Sequence, residues 1–436
     1  MRVVLLLALL AGCSRKDGAP EPPPKPTATT SSASASPLPL ATPNTFLAEG
    51  APTFVVGTQG DEAADRIVRH QARLVQGMFF PGSKVVEDTT VVPSKGADAW
   101  PRNPVVYGGP HVHAALATLG PTLPFQLERG KLVLGGETFL GDDLLLITVV
   151  PARAADADGP GFPRMLVYAG TGDPGVAEIN AVPHGQHAIL VADRFGVLTT
   201  GSWVRRGGKV VAALEPRSPR QTFRTTERAF HGGKLRFSSL ASEPASKDEE
   251  PYVEACARGL DRVVERLSLD GAPTVDVFLY PDGATKAKLT GNGGAGHAVP
   301  SSHTLHVVRF DPKKGGALEG LVAHEGTHVI ATAAWGAPGS AAMGEGLAVW
   351  VSGRYAGIEL EKWKAKLGAP PKLVDLLGKG FFARKEAETY PASGLLVDRA
   401  IARVGLVKFR AHLYGATAGE WAEACASAGD PALGKD

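Results

Sequence analysis

The sequence predicts a mixed fold, α+β overall with an α/β front half: a module of strands alternating with short helices, then a mainly helical domain with a small sheet. Three observations predict it. Before about residue 215, short apolar runs bounded by Gly and Pro, such as "PTFVVGT" and "DDLLLITVVPA", alternate with helix-spaced segments. After residue 251, long helix-spaced runs dominate and only two strand-like runs remain, "TVDVFLYPDG" and "HTLHVVRF". Finally, 436 residues at 44% hydrophobic are enough for two or three buried cores. The formal net charge of +2 argues against nucleic acid or an anionic membrane surface as the main partner.

Taken in order, the chain opens with "MRVVLLLALLAGC": one basic residue, an apolar run, and small residues before Cys13. This is a secretory signal, too short to span a membrane. Its end, "LLAGC", resembles the lipobox of bacterial lipoproteins. The resemblance implies that residues 1–12 are a signal peptide removed by cleavage. It also implies that Cys13 is lipidated and that the protein is anchored in the cell envelope, at the outer membrane or periplasmic face. Residues 13–49 are rich in Pro, Ala, Ser and Thr and nearly free of aromatics, and read as a disordered tether.

Residues 50–215 read as the α/β module. "DEAADRIVRHQARLVQGM" places Ala64, Ile67, Val68, Ala72 and Val75 on one helical face. The run from "VVYGGPHVHAALATLG" to "DDLLLITVVPA" resembles a small Rossmann-like module found on some secreted bacterial hydrolases. "YGGPHVH" has neither phosphate-loop spacing nor a loop lysine, so it reads as a turn, with His111 and His113 as surface or capping residues. Residues 216–250 read as a connector containing one hairpin about Gly232-Gly233. Cys256 and Cys425 are an even pair in a secreted chain, and the sequence leaves a disulfide between them open.

Residues 251–436 carry the chemistry. "PYVEACARGLDRVVERLSL" is an amphipathic helix with Val253, Cys256, Leu260, Val263, Val264 and Leu267 inward. Next comes "LVAHEGTHVIATA", an apolar helix interrupted by His324, Glu325 and His328. Positions i and i+4 are about 40° apart and one turn along a helix, so His324 and His328 would reach one metal ion from one face. Glu325 is offset by about 100°, where its carboxylate reaches a metal-bound water without being a ligand. That pattern suits Zn2+ hydrolysis: the ion acidifies water and the carboxylate takes the proton. A catalytic zinc takes a third protein ligand, and Glu345 in "AAMGEGLAVWVSG" is the candidate. Sixteen residues separate it from His328, enough for the chain to reverse and lay a second helix alongside.

"HEGTH…GEGLAVW" resembles the gluzincin zinc metallopeptidases, with Gly344 where many members carry Asn. The resemblance implies a zincin-like domain with a small edge-stranded sheet. Within it, His324, His328 and Glu345 would hold zinc and Glu325 would serve as general base. "GNGGAGHAVPSSHTLHVV" would be an edge strand along which a peptide pairs, with His297, His303 and His306 near substrate. No Asp or Glu occurs between Asp282 and Asp311, where the aminopeptidase branch keeps a glutamate for the free α-amine. The expectation is therefore a metallo-endopeptidase acting on a peptide or protein substrate. "ETYPASGLLVDRAIARVGLVKF" resembles a later helix of the family, which makes Tyr390 the oxyanion donor and Tyr355 its rival. The other class of reading is a non-catalytic envelope lipoprotein whose peptidase-like domain binds a protein or wall component.

Overall fold

The computed structural model describes residues 36–37, 41–80, 82–156, 159–182, 184–242, 249–310, 317–368 and 371–434. The stretch read as a signal peptide, Cys13 and most of the stretch read as a tether lie outside them. Among the described residues, no helix is long and apolar enough to cross a membrane. The chain divides into two compact units, one formed mainly by residues 16–220 with 287–292, the other by residues 221–286 with 293–436.

The first unit is built on a mixed sheet. Met165–Gly170, Pro104–Tyr107, Thr53–Val56 and Lys84–Glu87 lie side by side and parallel. Helix Glu62–Phe79 supplies the crossover between Thr53–Val56 and Lys84–Glu87, as parallel pairing requires. On the other side of Met165–Gly170 the pairing turns antiparallel, through Leu145–Val150, Ile189–Asp193, Gly196–Arg206 and Lys209–Leu214. The last three follow one another through tight turns, which allow only antiparallel neighbours. The sheet is thus mixed, whereas a Rossmann sheet is mostly parallel.

Side-chain alternation gives this sheet two cores. Phe54, Val56, Val105 and Tyr107 pack with Ala64, Val68, Ala72 and Val75 of the helix, with Ile67 at the margin. Val55, Val106 and Val167 face Leu116, Leu132 and Phe139 on the other side. His113 is fully buried, not a surface residue. It caps helix Ala114–Leu119, its Nδ1 accepting from the Leu116 amide at 3.3 Å. His111 pairs with Asp173 at 3.1 Å.

Two boundaries differ from the expected ones. Residues 41–48 are already folded: Thr42 caps helix Pro43–Ala48, and Phe46 and Leu47 are buried. The stretch read as a connector supplies hairpin Phe223–Phe230/Gly233–Leu240, which forms two of the five strands in the second unit's sheet. Leu235 and Phe237 are buried in that unit's core. The strand Gly233–Leu240 pairs in parallel with Val275–Tyr280, a long-range contact that local pattern does not announce.

The second unit's sheet continues from Val275–Tyr280 to Thr304–Val308, parallel, and ends at Gly296–Val299, antiparallel and at the edge. Helices Glu250–Arg266, Ala317–Trp335, Ala341–Ser352 and Glu386–Val404 account for most of the remaining core. Helix Glu250–Arg266 buries Val253, Cys256, Leu260, Val263 and Val264 as its spacing predicts. Cys256 and Cys425 are both buried free thiols, so no disulfide joins them. Burial pushes the Cys256 thiol up to about 12 and the Cys425 thiol up to about 11.

Candidate metal centre

Helix Ala317–Trp335 is apolar nearly all round: Leu318, Val322, Ala323, Val329, Ile330 and Ala331 are buried. A helix of that kind belongs in a core. Yet His324, Glu325 and His328 sit in its middle. His324 and His328 share a face, their rings 5.2 Å apart at 80°.

The chain then reverses and enters helix Ala341–Ser352. Ser340 starts it, its hydroxyl accepting from the Met343 amide at 3.3 Å. Gly344 fits closely: a β-carbon there would stand 3.1 Å from Cγ of Pro338, in the reversal itself. Glu345 follows, and its Oε2 lies 3.2 Å from His324 Nε2 and 3.5 Å from His328 Nε2. One donor atom from each of the three residues falls within 4.8 Å of the other two. Among the described residues this is the one such gathering of His, Cys, Asp and Glu.

The electrostatics follow from burial and charge. Burial works against ionised Glu345, but the charge of His328 and the hydrogen bonds to both histidines hold its carboxyl at about 2. Burial likewise disfavours protonated His328, and Glu345 outweighs it, so the imidazole is raised above its ordinary value. Glu325 is shifted upward by burial, with the two histidines partly offsetting it. It is 2% exposed, and its Oε2 has no hydrogen-bond partner among the described residues.

Tyr390 stands on helix Glu386–Val404, its ring stacked on that of His324 at 6.4 Å and 11°. Tyr355 is one ring further out, 5.4 Å from Tyr390 and packed on Trp363. Glu386, one turn before Tyr390, is raised by burial and by the charge of Glu345. Of the run that the resemblance made an edge strand, Gly296–Val299 lies at the edge and Thr304–Val308 lies inside the sheet. His297 stacks on His306 at 4.5 Å, and His306 Nδ1 meets the Tyr280 hydroxyl at 2.8 Å. His303 adopts a left-handed conformation at the end of the turn Pro300–Ser302. Sequence reasoning missed Lys286, which is fully buried and whose Nζ donates to the Gly294 carbonyl at 3.0 Å. A lysine on a short helix of weak amphipathicity gives no local sign of such burial.

No family model matches the chain, and no curated protein matches it. Among solved structures it is similar to an M1 zinc metallopeptidase from Deinococcus radiodurans, at 14% identity and a TM-score of 0.29 over 55% of this chain. It is also similar to a point mutant of a two-domain M1 zinc metallopeptidase bound to L-arginine, at 15% identity and a TM-score of 0.29. The chain spans 58% of the length of each of these two. A third, a point mutant of a two-domain M1 zinc metallopeptidase bound to L-tryptophan, aligns at 12% identity and a TM-score of 0.32, over 71% of this chain and 90% of that one.

Proposed function

We propose that the chain is a zinc-dependent hydrolase of gluzincin type, a metallo-endopeptidase working at the cell envelope from a lipid anchor on Cys13. The observation that carries this reading is the donor set itself. Donors bound to zinc at about 2.0–2.1 Å in a tetrahedron lie about 3.3 Å apart. Glu345 Oε2 stands 3.2 and 3.5 Å from the two histidine nitrogens, so the residues present fit the ion. Held by His324, His328 and Glu345, Zn2+ would supply Lewis acidity toward a substrate carbonyl and an attacking water acidic near neutral pH.

The chain's own residues do the rest. Glu325 takes the proton of the attacking water and passes it to the nitrogen of the leaving amine, because its partnerless oxygen accepts and burial brings its basicity nearer to neutral. Tyr390, stacked beside His324, donates to the oxyanion that forms on the carbonyl. The edge strand Gly296–Val299 offers backbone groups to an extended peptide. A domain that only bound an envelope component would have no use for Glu325 in this state, which places the enzyme reading first.

The mature chain is expected to purify with one zinc per molecule and to cleave members of a broad peptide library, with both lost on chelation. A preparation that takes up no zinc under any loading condition would overturn the reading. Tyr390→Phe should keep zinc and lower kcat by roughly 10²–10³-fold, the usual loss of one oxyanion donor. Tyr355→Phe should do much less, and the reverse order would exchange their roles. Cys13→Ala should leave the chain unprocessed or released from membranes, since stable anchoring needs the lipid chains on that thiol. Unchanged fractionation and processing would remove the anchor.

A further inference from the structure

Aromatic rings run outward from the metal donors in a continuous row. Tyr390 stacks on His324 at 6.4 Å and 11°. Phe381 lies 5.8 Å beyond Tyr390, and Phe382 meets Phe381 edge-on at 5.2 Å and 79°. Aromatic pairs attract at centroid separations of about 4.5–7 Å, so each ring holds the next. Burial gives way only at the far end: Tyr390 is 6% and Phe381 3% exposed, whereas Phe382 is 43% exposed.

A phenylalanine left in water needs a reason. Among the described residues, Val374 and Phe382 are two of five large apolar side chains that stay exposed, and both belong to the short helical turns Leu373–Leu377 and Lys379–Ala383. The backbone there closes on itself. The Gly378 amide donates to the Val374 carbonyl at 3.2 Å, and the Phe381 amide donates to the Gly378 carbonyl at 3.2 Å. A β-carbon at Gly380 would stand 2.9 Å from the Asp375 carbonyl oxygen. Arg384 Nη2 donates to Asp375 Oδ2 at 3.0 Å. Phe382 is therefore carried on a fixed backbone and backed by a buried ring. A side chain held in this way loses little freedom when a ligand covers it, as a recognition surface requires.

The row also says what covers it. Its inner end is His324, one of the three gathered donors, so its occupant is the chain whose bond lies at the metal centre. The ring-to-ring path from His324 to Phe382 has steps of 6.4, 5.8 and 5.2 Å. An extended peptide advances about 3.3 Å per residue and covers that path in about five residues.

We propose that Phe382 is a specificity-determining residue for a long peptide substrate: its exposed face receives a large apolar side chain carried within about five residues of the bond cut at the metal centre. The proposal rests on the hydrolase reading of that centre.

The probe is a set of long Ala/Ser peptides that each carry one phenylalanine, walked along the chain, with a phenylalanine-free peptide as reference. Cleavage by the zinc-loaded mature chain is read by mass, which locates the cut and the phenylalanine together. Phe382→Ser should abolish one preferred phenylalanine position, lowering kcat/KM for those peptides by about 10-fold or more. Zinc content and cleavage of the reference peptide should stay at the parent's level. Phe382→Leu should keep part of the preference. Val92→Ser, which removes a side chain 40% exposed on the first unit, should change nothing. A parent-like profile in Phe382→Ser, or an equal loss on every peptide, would overturn the proposal. So would weaker binding of Phe382→Ser to phosphatidylglycerol vesicles with an unchanged peptide profile, which would give the surface to lipid. If the parent cleaves nothing, the hydrolase reading fails separately, and fluorescence polarisation of the same peptides, dye-labelled, on zinc-loaded parent and Phe382→Ser still decides. A position-dependent preference lost in the variant would keep the peptide surface, and its absence from the parent would overturn it.

Discussion

Glu325→Gln should leave zinc content at the parent's level and lower peptide hydrolysis by roughly 10²–10⁴-fold. The substitution keeps size and helix propensity nearly unchanged and removes only the ability to take a proton. Glu325 is not one of the three gathered donors, so the metal should stay. The fold should tolerate the change, because an amide without its charge is less costly to bury than an ionised carboxylate. Zinc analysis and library cleavage on the same preparation check both halves. Equal cleavage by parent and variant would show that the activity lies elsewhere or belongs to a contaminant.

Substitution of the donors should act on the metal first. His324→Ala, His328→Ala and Glu345→Gln each remove one of three protein ligands, and a neutral amide is a poor substitute for carboxylate. Even residues that only support ligands change affinity by about 10–100-fold, so loss of a ligand should exceed that. Activity should then disappear at zinc levels that saturate the parent. The metal-free fold should also respond unequally. The charge of His328 is the largest influence favouring ionised Glu345, so His328→Ala leaves that buried carboxylate the His324 imidazole alone, at 3.2 Å. Breaking a buried pair outright costs about 3–5 kcal/mol, and with His324 in place the loss should fall below that. Glu345→Gln removes that charge and should melt closer to the parent. Competition with a fluorescent chelator and thermal melts on apo protein measure the two effects. Full zinc in His328→Ala would take the site off this helix.

The gathering of His324, His328 and Glu345 was legible because most of it is local. His324, Glu325 and His328 fall within five residues on one helix, where 3.6-residue periodicity alone fixes their faces. Glu345 was within reach because one reversal brings the next helix back. Lys286 was not legible, since its ammonium is met by a carbonyl eight residues on, which no local pattern announces. The same limit hid the ownership of Phe223–Leu240: the hairpin itself reads from its glycine turn, but its parallel neighbour, Val275–Tyr280, lies beyond helix Glu250–Arg266. Residues 41–48 were misread for a different reason. Composition spoke for a tether, and the Thr42-Pro43 start followed by Phe46 and Leu47 was passed over.

The two buried thiols have a practical consequence. Cys256 and Cys425 are unlinked, so no cross-link between them holds the second unit together and its melting should be indifferent to oxidants and reductants. Both thiols are shielded and strongly disinclined to ionise, and an alkylating reagent acts on thiolate. Alkylation of Cys256, at the centre of helix Glu250–Arg266, therefore becomes a clock for how often that core opens, read without denaturant and without any assay of what the protein cleaves.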